Sequence, residues 1–239
     1  DSVAIAAKTG DHRVTLYSVG YGDPFVVDLS DLSINKEEFE TTTSLIRGIA
    51  ARLKELGHEI GGFNGYLTSD VLPGSGLSSS ASIEVLIGTI FNVLYNDGKI
   101  SPEVLAMTGQ YSENRYFGKP CGLMDQVACA MGGIVTIDFR DPGKPVIRKV
   151  DFNFDAQGYS LVVVDTGGTH ADLTADYASV PAEMRSVAAY FEKPVCREID
   201  MNDLLDATPE LRKKTGDRAI LRAIHFLGDN QRVASQVAA

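Results

Sequence analysis

Pro73-Gly74-Ser75-Gly76-Leu77-Ser78-Ser79-Ser80-Ala81-Ser82 is the stretch from which the rest of the chain can be read. Gly74 and Gly76 let the backbone fold back on itself and let a ligand approach it closely. Ser78, Ser79 and Ser80 follow at once. Then Ile83, Leu86, Ile87, Ile90, Phe91 and Leu94 recur at the spacing of one apolar helix face. Upstream, Phe63 to Leu72 reads as a strand, with partial alternation of apolar and small or polar residues. The element is therefore strand, Gly/Ser loop, helix. A loop that opens a helix presents unpaired backbone N–H groups at the positive end of a dipole, which suits phosphate. The same pattern also serves as a plain turn and cap. Two common phosphate loops do not fit. No Lys stands where a Gly-Lys-Ser/Thr loop needs one, and Ser79 occupies the third glycine position of the dinucleotide fingerprint.

The chain has 239 residues, 44% hydrophobic and 23% charged, enough for one large domain or two small ones around a real core. A formal net charge of -10 argues against non-specific binding to nucleic acid or to an anionic membrane. An anionic nucleotide would have to be held by local N–H groups and a metal. No apolar run has membrane length, and no signal peptide is visible. Cys121, Cys129 and Cys196 form no CxxC pair and read as reduced thiols of a cytoplasmic protein. The histidines show no metal-ligand spacing.

Along the chain, Ser2–Lys8, Val14–Val19 and Phe25–Leu29 are β-prone runs joined by short turns, which predicts an antiparallel meander. Asn35 to Gly57 carries Leu45, Ile46, Ile49, Leu53 and Leu56 at helical spacing, with Gly57 at the natural stop. Ser101-Pro102-Glu103 starts a helix that is predicted to run to about Arg115. Gly132–Phe139, Pro145–Phe152 and Tyr159–Asp165 are predicted strands, the last one wholly apolar through Leu161-Val162-Val163-Val164. Thr174–Tyr190, Met201–Leu205 and Pro209–Val237 are predicted helices. The change from mixed to mostly helical patterning puts a domain boundary near Asp155-Ala156-Gln157-Gly158.

Two acids stand out. Glu113 lies near a helix C-terminus, where the dipole disfavours an acid; a surface ion pair with Arg115 or Lys119 would account for it. Asp125 opens a short apolar helix, Val127–Met131. It reads either as a cap or as a carboxylate kept ionised in a partly dry site and able to act as a general base.

The decapeptide at 73–82 resembles the phosphate-binding motif of the GHMP kinase superfamily, which comprises galactokinase, homoserine kinase, mevalonate kinase and phosphomevalonate kinase. Its triple serine followed by Ala81-Ser82-Ile83-Glu84 is most similar to the galactokinase family. So is the segment Glu113-Asn114-Arg115-Tyr116-Phe117-Gly118-Lys119-Pro120-Cys121-Gly122-Leu123-Met124-Asp125-Gln126. The resemblance implies a two-domain α+β fold: an ATP-binding S5-domain-2-like domain at 1–155 and a partial ferredoxin-like domain at 156–239. It implies transfer of the ATP γ-phosphoryl group to the C1 hydroxyl of D-galactose. The backbone of Gly74, Ser75, Gly76, Leu77, Ser78, Ser79 and Ser80 would hold the phosphates. Ser80 and Glu113 would hold Mg²⁺, and Asp125 would be the catalytic base. Gly122, Asp125 and Tyr177 would contact the sugar. Thr166-Gly167-Gly168-Thr169-His170 resembles a loop near the sugar, but His170 is not carried over, because the family's sugar-binding His lies elsewhere.

The resemblance runs over essentially the whole chain. The family's first signature, with its Arg and a Glu-His-x-Asp cluster, would precede Asp1, and its third motif would follow Ala239. The sequence is thus expected to be an internal piece of a longer protein, inactive by itself. The strand from Ser2 is expected to leave a sheet edge or apolar face uncovered, a surface for self-association. Two further readings stay open: another GHMP sugar kinase, such as one acting on N-acetylgalactosamine, and a non-catalytic transcriptional sensor of galactose and ATP. The intact Ser80-Ala81 pair favours catalysis, since a sensor paralogue lacks a Ser-Ala pair in this loop.

Overall fold

A computed structural model describes residues 1–71, 76–141, 143–164 and 174–239. Four strands precede the Gly/Ser loop: β1 (Ser2–Lys8), β2 (Arg13–Ser18), β3 (Phe25–Asp28) and β4 (Phe63–Ser69). Val14 and Leu16 on β2, and Phe63 and Leu67 on β4, alternate with exposed neighbours, so a single face of the sheet is buried. That face shares one core with Ile46, Ile49 and Leu53 of α1 (Thr42–Glu55) and with Ile87, Ile90 and Phe91 of α2 (Ser79–Tyr95). Phe63 meets Phe91 edge to face, with ring centroids 5.3 Å apart.

The strand order is β1-β4-β2-β3, so the predicted meander does not form. β4 lies between β1, which it pairs antiparallel, and β2, which it pairs parallel. Only β2 and β3 are a true hairpin. The short connection from β1 to β2 steps over the start of β4 instead of closing a turn. Thr9 N–H donates to the Gly62 carbonyl at 2.9 Å, and Gly62 N–H donates to the Asp11 carbonyl at 3.1 Å. A Cβ at residue 62 would lie 2.5 Å from the Asp11 carbonyl oxygen and 2.6 Å from that of Arg13. The crossing therefore needs glycine there. On the outer face Val3, Ile5, Tyr17 and Tyr66 are exposed, Ile5 by 82%, and β1 has a neighbour on one side only among the described strands. This is the uncovered edge and apolar face that the sequence predicts.

Arg47 of α1 fastens the helix to the loop after β3. Its Nε and Nη2 donate to Glu38 Oε2 and Oε1 at 2.9 and 2.8 Å, and Nη1 donates to the Asp28 carbonyl at 3.2 Å and to that of Asp31. The Arg47 guanidinium, hydrogen-bonded to Glu38, holds that carboxyl below its usual range. A carboxyl depressed in the folded state stabilises the fold above its unfolded pKa, and that contribution is lost as pH falls through the folded value. Arg47→Met is expected to cost about 2 kcal/mol near neutral pH. In denaturant titrations the gap from wild type should shrink below the ordinary carboxylate range. A gap that stays constant from neutral pH into acid would show that the charge contributes nothing.

The remaining elements are α3 (Pro102–Ser112), α4 (Met124–Met131), β5 (Ile134–Asp138), β6 (Val146–Val150), α5 (Thr174–Tyr190), α6 (Met201–Thr215) and α7 (Asp217–Ala238). The described residues divide into two compact units, 1–133 with 161–164, and 134–160 with 174–239. The second has its own core, including Val187, Leu204, Leu211, Ile220 and Ala223.

Two predicted boundaries differ. Residues 159–164 form no strand, and Leu161, Val162, Val163 and Val164 are all at least 69% exposed; Asp165 lies outside the described residues. A wholly apolar strand is stable when covered on both faces and paired in a ladder. Among the described strands, β5 and β6 pair only with each other. The predicted break before Pro209 is also absent: α6 runs through it to Thr215, and the predicted helix Pro209–Val237 is divided instead at Gly216, φ +80°, into α6 and α7. Burial of Leu204 and Leu211 on one face keeps the helix continuous despite the hydrogen bond that proline removes.

Candidate active site

The start of α2 is held by hydroxyl groups. Ser82 Oγ lies 2.6 Å from Ser2 Oγ, which lies 2.7 Å from Ser69 Oγ, so β1, β4 and the first turn of α2 are tied together. Gly74 and Ser75 lie outside the described residues. Gly76 has φ +77°, and Ser78, at the N-cap of α2, has φ +62° with no side-chain cap bond. A serine in the left-handed region costs on the order of 1 kcal/mol or more, and such outliers gather at ligand clamps. Leu77 is exposed, whereas Ser79 and Ser80 are half-buried.

Glu113 is delivered by a change of helix type. α3 ends at Ser112, and the next turn, Glu113–Phe117, is a π-helix closed by Gly118 at φ +84°. Single π turns inside helices are rare and often functional. Glu113 is buried, 3% exposed, so it is not the surface acid expected, although the expected pair with Lys119 is present. Its Oε1 accepts from Ser80 Oγ at 3.1 Å and its Oε2 from Gln126 Nε2 at 3.0 Å. Lys119 Nζ stands 4.0 Å from Oε1. Among the described residues Arg115 makes no ion pair with it. The electrostatic misfit of an acid at a helix C-terminus is resolved by this local donor set.

Behind Glu113 lie two residues to which the sequence reading gave no role. Glu84, 1% exposed on α2, accepts from the same Gln126 Nε2 at 2.9 Å. Burial, with the Glu113 charge beside it, pushes the Glu84 carboxyl up to about 9. Gly109 of α3 makes the space, because a Cβ there would lie 3.0 Å from Glu84 Oε2 and 3.3 Å from Gln126 Cγ. Burial and then Glu113 also push the Cys121 thiol far up, so this cysteine is no nucleophile. Cys121, Cys129 and Cys196 are all free. The available signal for Glu84 is its position. It is the one charged residue in the run Ala81–Val93, one helical turn after Ser80.

Asp125 sits in the first turn of α4, whose N-cap is Leu123 with no side-chain cap bond. The cap reading therefore fails. The expected partly dry surroundings are also not observed, since Asp125 is exposed and its carboxylate makes no hydrogen bond among the described residues. Neighbouring residues on a helix point to different faces, so α4 turns Gln126 inward to Glu113 and Asp125 outward. Gly122, in the loop before α4, is exposed, and a Cβ there would meet nothing within 4 Å. Tyr177 lies on α5 in the second unit and is 60% exposed. The residues 166–170 lie outside the described ones. The first unit thus joins Ser80 and Glu113 directly and links Asp125 to them through α4.

The donor set suits one kind of metal. Ser80 Oγ and Glu113 Oε1 are hard oxygens 3.1 Å apart, and no cluster of three or more His, Cys, Asp or Glu able to hold a metal occurs among the described residues. Two protein oxygens fit a cation that keeps water and phosphate as its other ligands, as Mg²⁺ does.

Residues 44–133 match the family "GHMP kinases N terminal domain". That stretch holds Ser80, Glu84, Glu113, Asp125 and Gln126, and it is similar to the N-terminal domain of GHMP kinases. Within this class the chain is similar to galactokinases. It is 32% identical to the galactokinase of Streptomyces coelicolor over 99% of its own length and 60% of that protein's. The structure superposes on Lactococcus lactis galactokinase, crystallised with galactose, with a TM-score of 0.75 at 23% identity, covering 98% of this chain and 61% of that one. Methanococcus jannaschii mevalonate kinase shares the fold at a TM-score of 0.55 and 16% identity, over 95% of this chain and 69% of that one. The α+β fold expected from the sequence is thus borne out. The chain spans about 60% of the length of the curated galactokinase it matches. No described helix is long and apolar enough to cross a membrane.

Proposed function

We propose that the protein carrying this chain is a galactokinase, which transfers the ATP γ-phosphoryl group to the C1 hydroxyl of D-galactose and releases galactose 1-phosphate and ADP. The observation that carries the reading is the contact of Ser80 Oγ with Glu113 Oε1 at 3.1 Å. It brings two separately recognised motifs to one point. Phosphoryl transfer depends on positioning and charge neutralisation more than on covalent chemistry. The backbone from Gly74 to Ser80 binds the phosphates, and Ser80 and Glu113 hold Mg²⁺. When bound, the ion neutralises charge on the phosphate oxygens. Asp125, exposed beside the open approach at Gly122, takes the proton of the sugar hydroxyl. Gly122, Asp125 and Tyr177 contact the sugar. The nucleotide domain is taken as residues 1–155 and part of the second domain as 156–239, although the hairpin of β5 and β6 groups with the second compact unit. The location is the cytoplasm, consistent with three free cysteines, and the exposed face of β1 and β4 is where self-association would occur.

A coupled assay for ADP with galactose, ATP and Mg²⁺ tests the reading. Glu113→Gln and Ser80→Ala should each raise the Mg²⁺ concentration needed for half-maximal rate, by roughly tenfold or more. Turnover of another sugar in place of galactose would reassign the substrate. Unchanged Mg²⁺ titrations in both variants would remove Ser80 and Glu113 from the metal site.

A further inference from the structure

Gln126 is nearly fully buried, at 1% exposed, and it spends its amide in an unusual way. Its single Nε2 donates to Glu113 Oε2 at 3.0 Å and to Glu84 Oε2 at 2.9 Å, and it lies 3.7 Å from Cys121 Sγ. Its Oε1 has no partner among the described residues, and neither does Glu84 Oε1. A glutamine buried only to fill space would satisfy both ends of its amide, because an unpaired buried polar atom is costly. Here the carbonyl end is left unpaired so that the NH₂ end can face two carboxyl oxygens. A flipped amide would point its oxygen at the Glu113 carboxylate, so Glu113 fixes the orientation, and Glu84 Oε2 accepts from the same NH₂ group.

The division of labour at Glu113 follows. Gln126 occupies Oε2, and Oε1 is left facing Ser80 Oγ. A carboxylate anchored by one oxygen cannot rotate to present both oxygens to an ion. We propose that Gln126 is a positioning residue that clamps Glu113 through Oε2 so that Oε1 alone, with Ser80 Oγ, binds the divalent cation, and that Glu84 is the second anchor that locks the amide. The proposal rests on the reading of Glu113 and Ser80 as the metal site, and it adds residues that do not touch the ion. Partners that orient a metal ligand typically change metal affinity by about 10- to 100-fold when removed.

The test is Mn²⁺ binding, followed by electron paramagnetic resonance with a non-hydrolysable ATP analogue present, on wild type, Gln126→Met, Gln126→Met/Glu84→Met and Glu113→Gln. Gln126→Met keeps the side-chain volume and removes the donor. It is expected to weaken Mn²⁺ by about 10- to 100-fold, while metal-free nucleotide affinity changes by less than about threefold. The double variant removes the buried acid that would lose its partner, and it should show the same loss. In wild type, the Gln126 side-chain amide resonances should shift when Mg²⁺ is added to the nucleotide complex, a readout that needs no variant to fold. Two results overturn the proposal: wild-type Mn²⁺ affinity in Gln126→Met or in the double variant, or Gln126 amide resonances unmoved by Mg²⁺. If Glu113→Gln weakens Mn²⁺ while the Gln126 variants do not, the clamp fails and the metal site stands. If Glu113→Gln also leaves Mn²⁺ affinity unchanged, the metal-site reading itself fails.

Discussion

Asp125→Asn is expected to lower kcat for galactose by roughly 10²–10⁴ while nucleotide affinity stays within about twofold, because general-base assistance is worth that much in rate. The substitution is nearly isosteric and removes only the proton acceptor. Asp125 is exposed in the first turn of α4, makes no hydrogen bond among the described residues and caps no helix, so only its attraction to the helix dipole is lost with it. Stability should therefore fall by no more than about 1 kcal/mol, which separates this variant from one that merely misfolds. The geometry adds a condition. α4 also carries Gln126, whose amide is bonded to Glu113. A shift of the helix would disturb the metal requirement, whereas loss of the base alone would not. The expected signature is a collapse of kcat with an unchanged Mg²⁺ titration. Retention of more than half of wild-type kcat would take Asp125 out of the base role.

Local chemistry made most elements legible. Ser101 and Pro102 announced α3, the apolar spacing from Ile83 announced α2, and Gly57 marked the end of α1. What stayed hidden was non-local. A four-residue connection between β1 and β2 looks the same whether it closes a hairpin or steps over a third strand. Only the pairing of Gly62 with Thr9 and Asp11, more than fifty residues away in sequence, decides it. The run Leu161–Val164 has the composition of a buried strand, but a strand also needs partners, which composition cannot supply.

The site divides along the same line. Ser80, Glu113 and Asp125 stood out because their motifs are dense in unusual residues. Glu84 and Gln126 sat inside the same motifs without assigned roles, since a sequence does not show that two acids from different helices share one amide. The π turn was equally invisible. It appears because Glu113 must face Ser80 and Gln126 while Tyr116, three residues on, stays buried with its hydroxyl donating to the Leu32 carbonyl at 2.7 Å.

Gly48→Ala is expected to destabilise the first unit by about 2 kcal/mol, although the same change in an open helix would stabilise it. Gly48 lies mid-helix in α1, where alanine is preferred over glycine by roughly 1 kcal/mol. Packing opposes that preference. A Cβ at this position would lie 2.3 Å from Ser112 Oγ and 2.8 Å from Tyr116 Cγ. Neither neighbour can swing aside cheaply. Ser112 Oγ donates to the Leu45 carbonyl at 2.9 Å in a buried setting, and Tyr116 is buried at the root of its ring. Overpacking of this kind costs about 1–3 kcal/mol, and a displaced Ser112 adds about 1 kcal/mol for its hydrogen bond. Gly228→Ala on α7 is the control, because its nearest neighbour is the flexible end of Arg232 at 3.3 Å, and a gain of up to about 1 kcal/mol is expected there. The site should register the strain as well. Ser112 and Tyr116 flank Glu113, so pushing the π turn off α1 moves the Glu113 carboxylate away from Ser80. Denaturant unfolding of both variants, with an Mg²⁺ titration of Gly48→Ala, checks the argument. A Gly48→Ala protein as stable as wild type, with an unchanged Mg²⁺ requirement, would show that α1 and the π turn do not set each other's position.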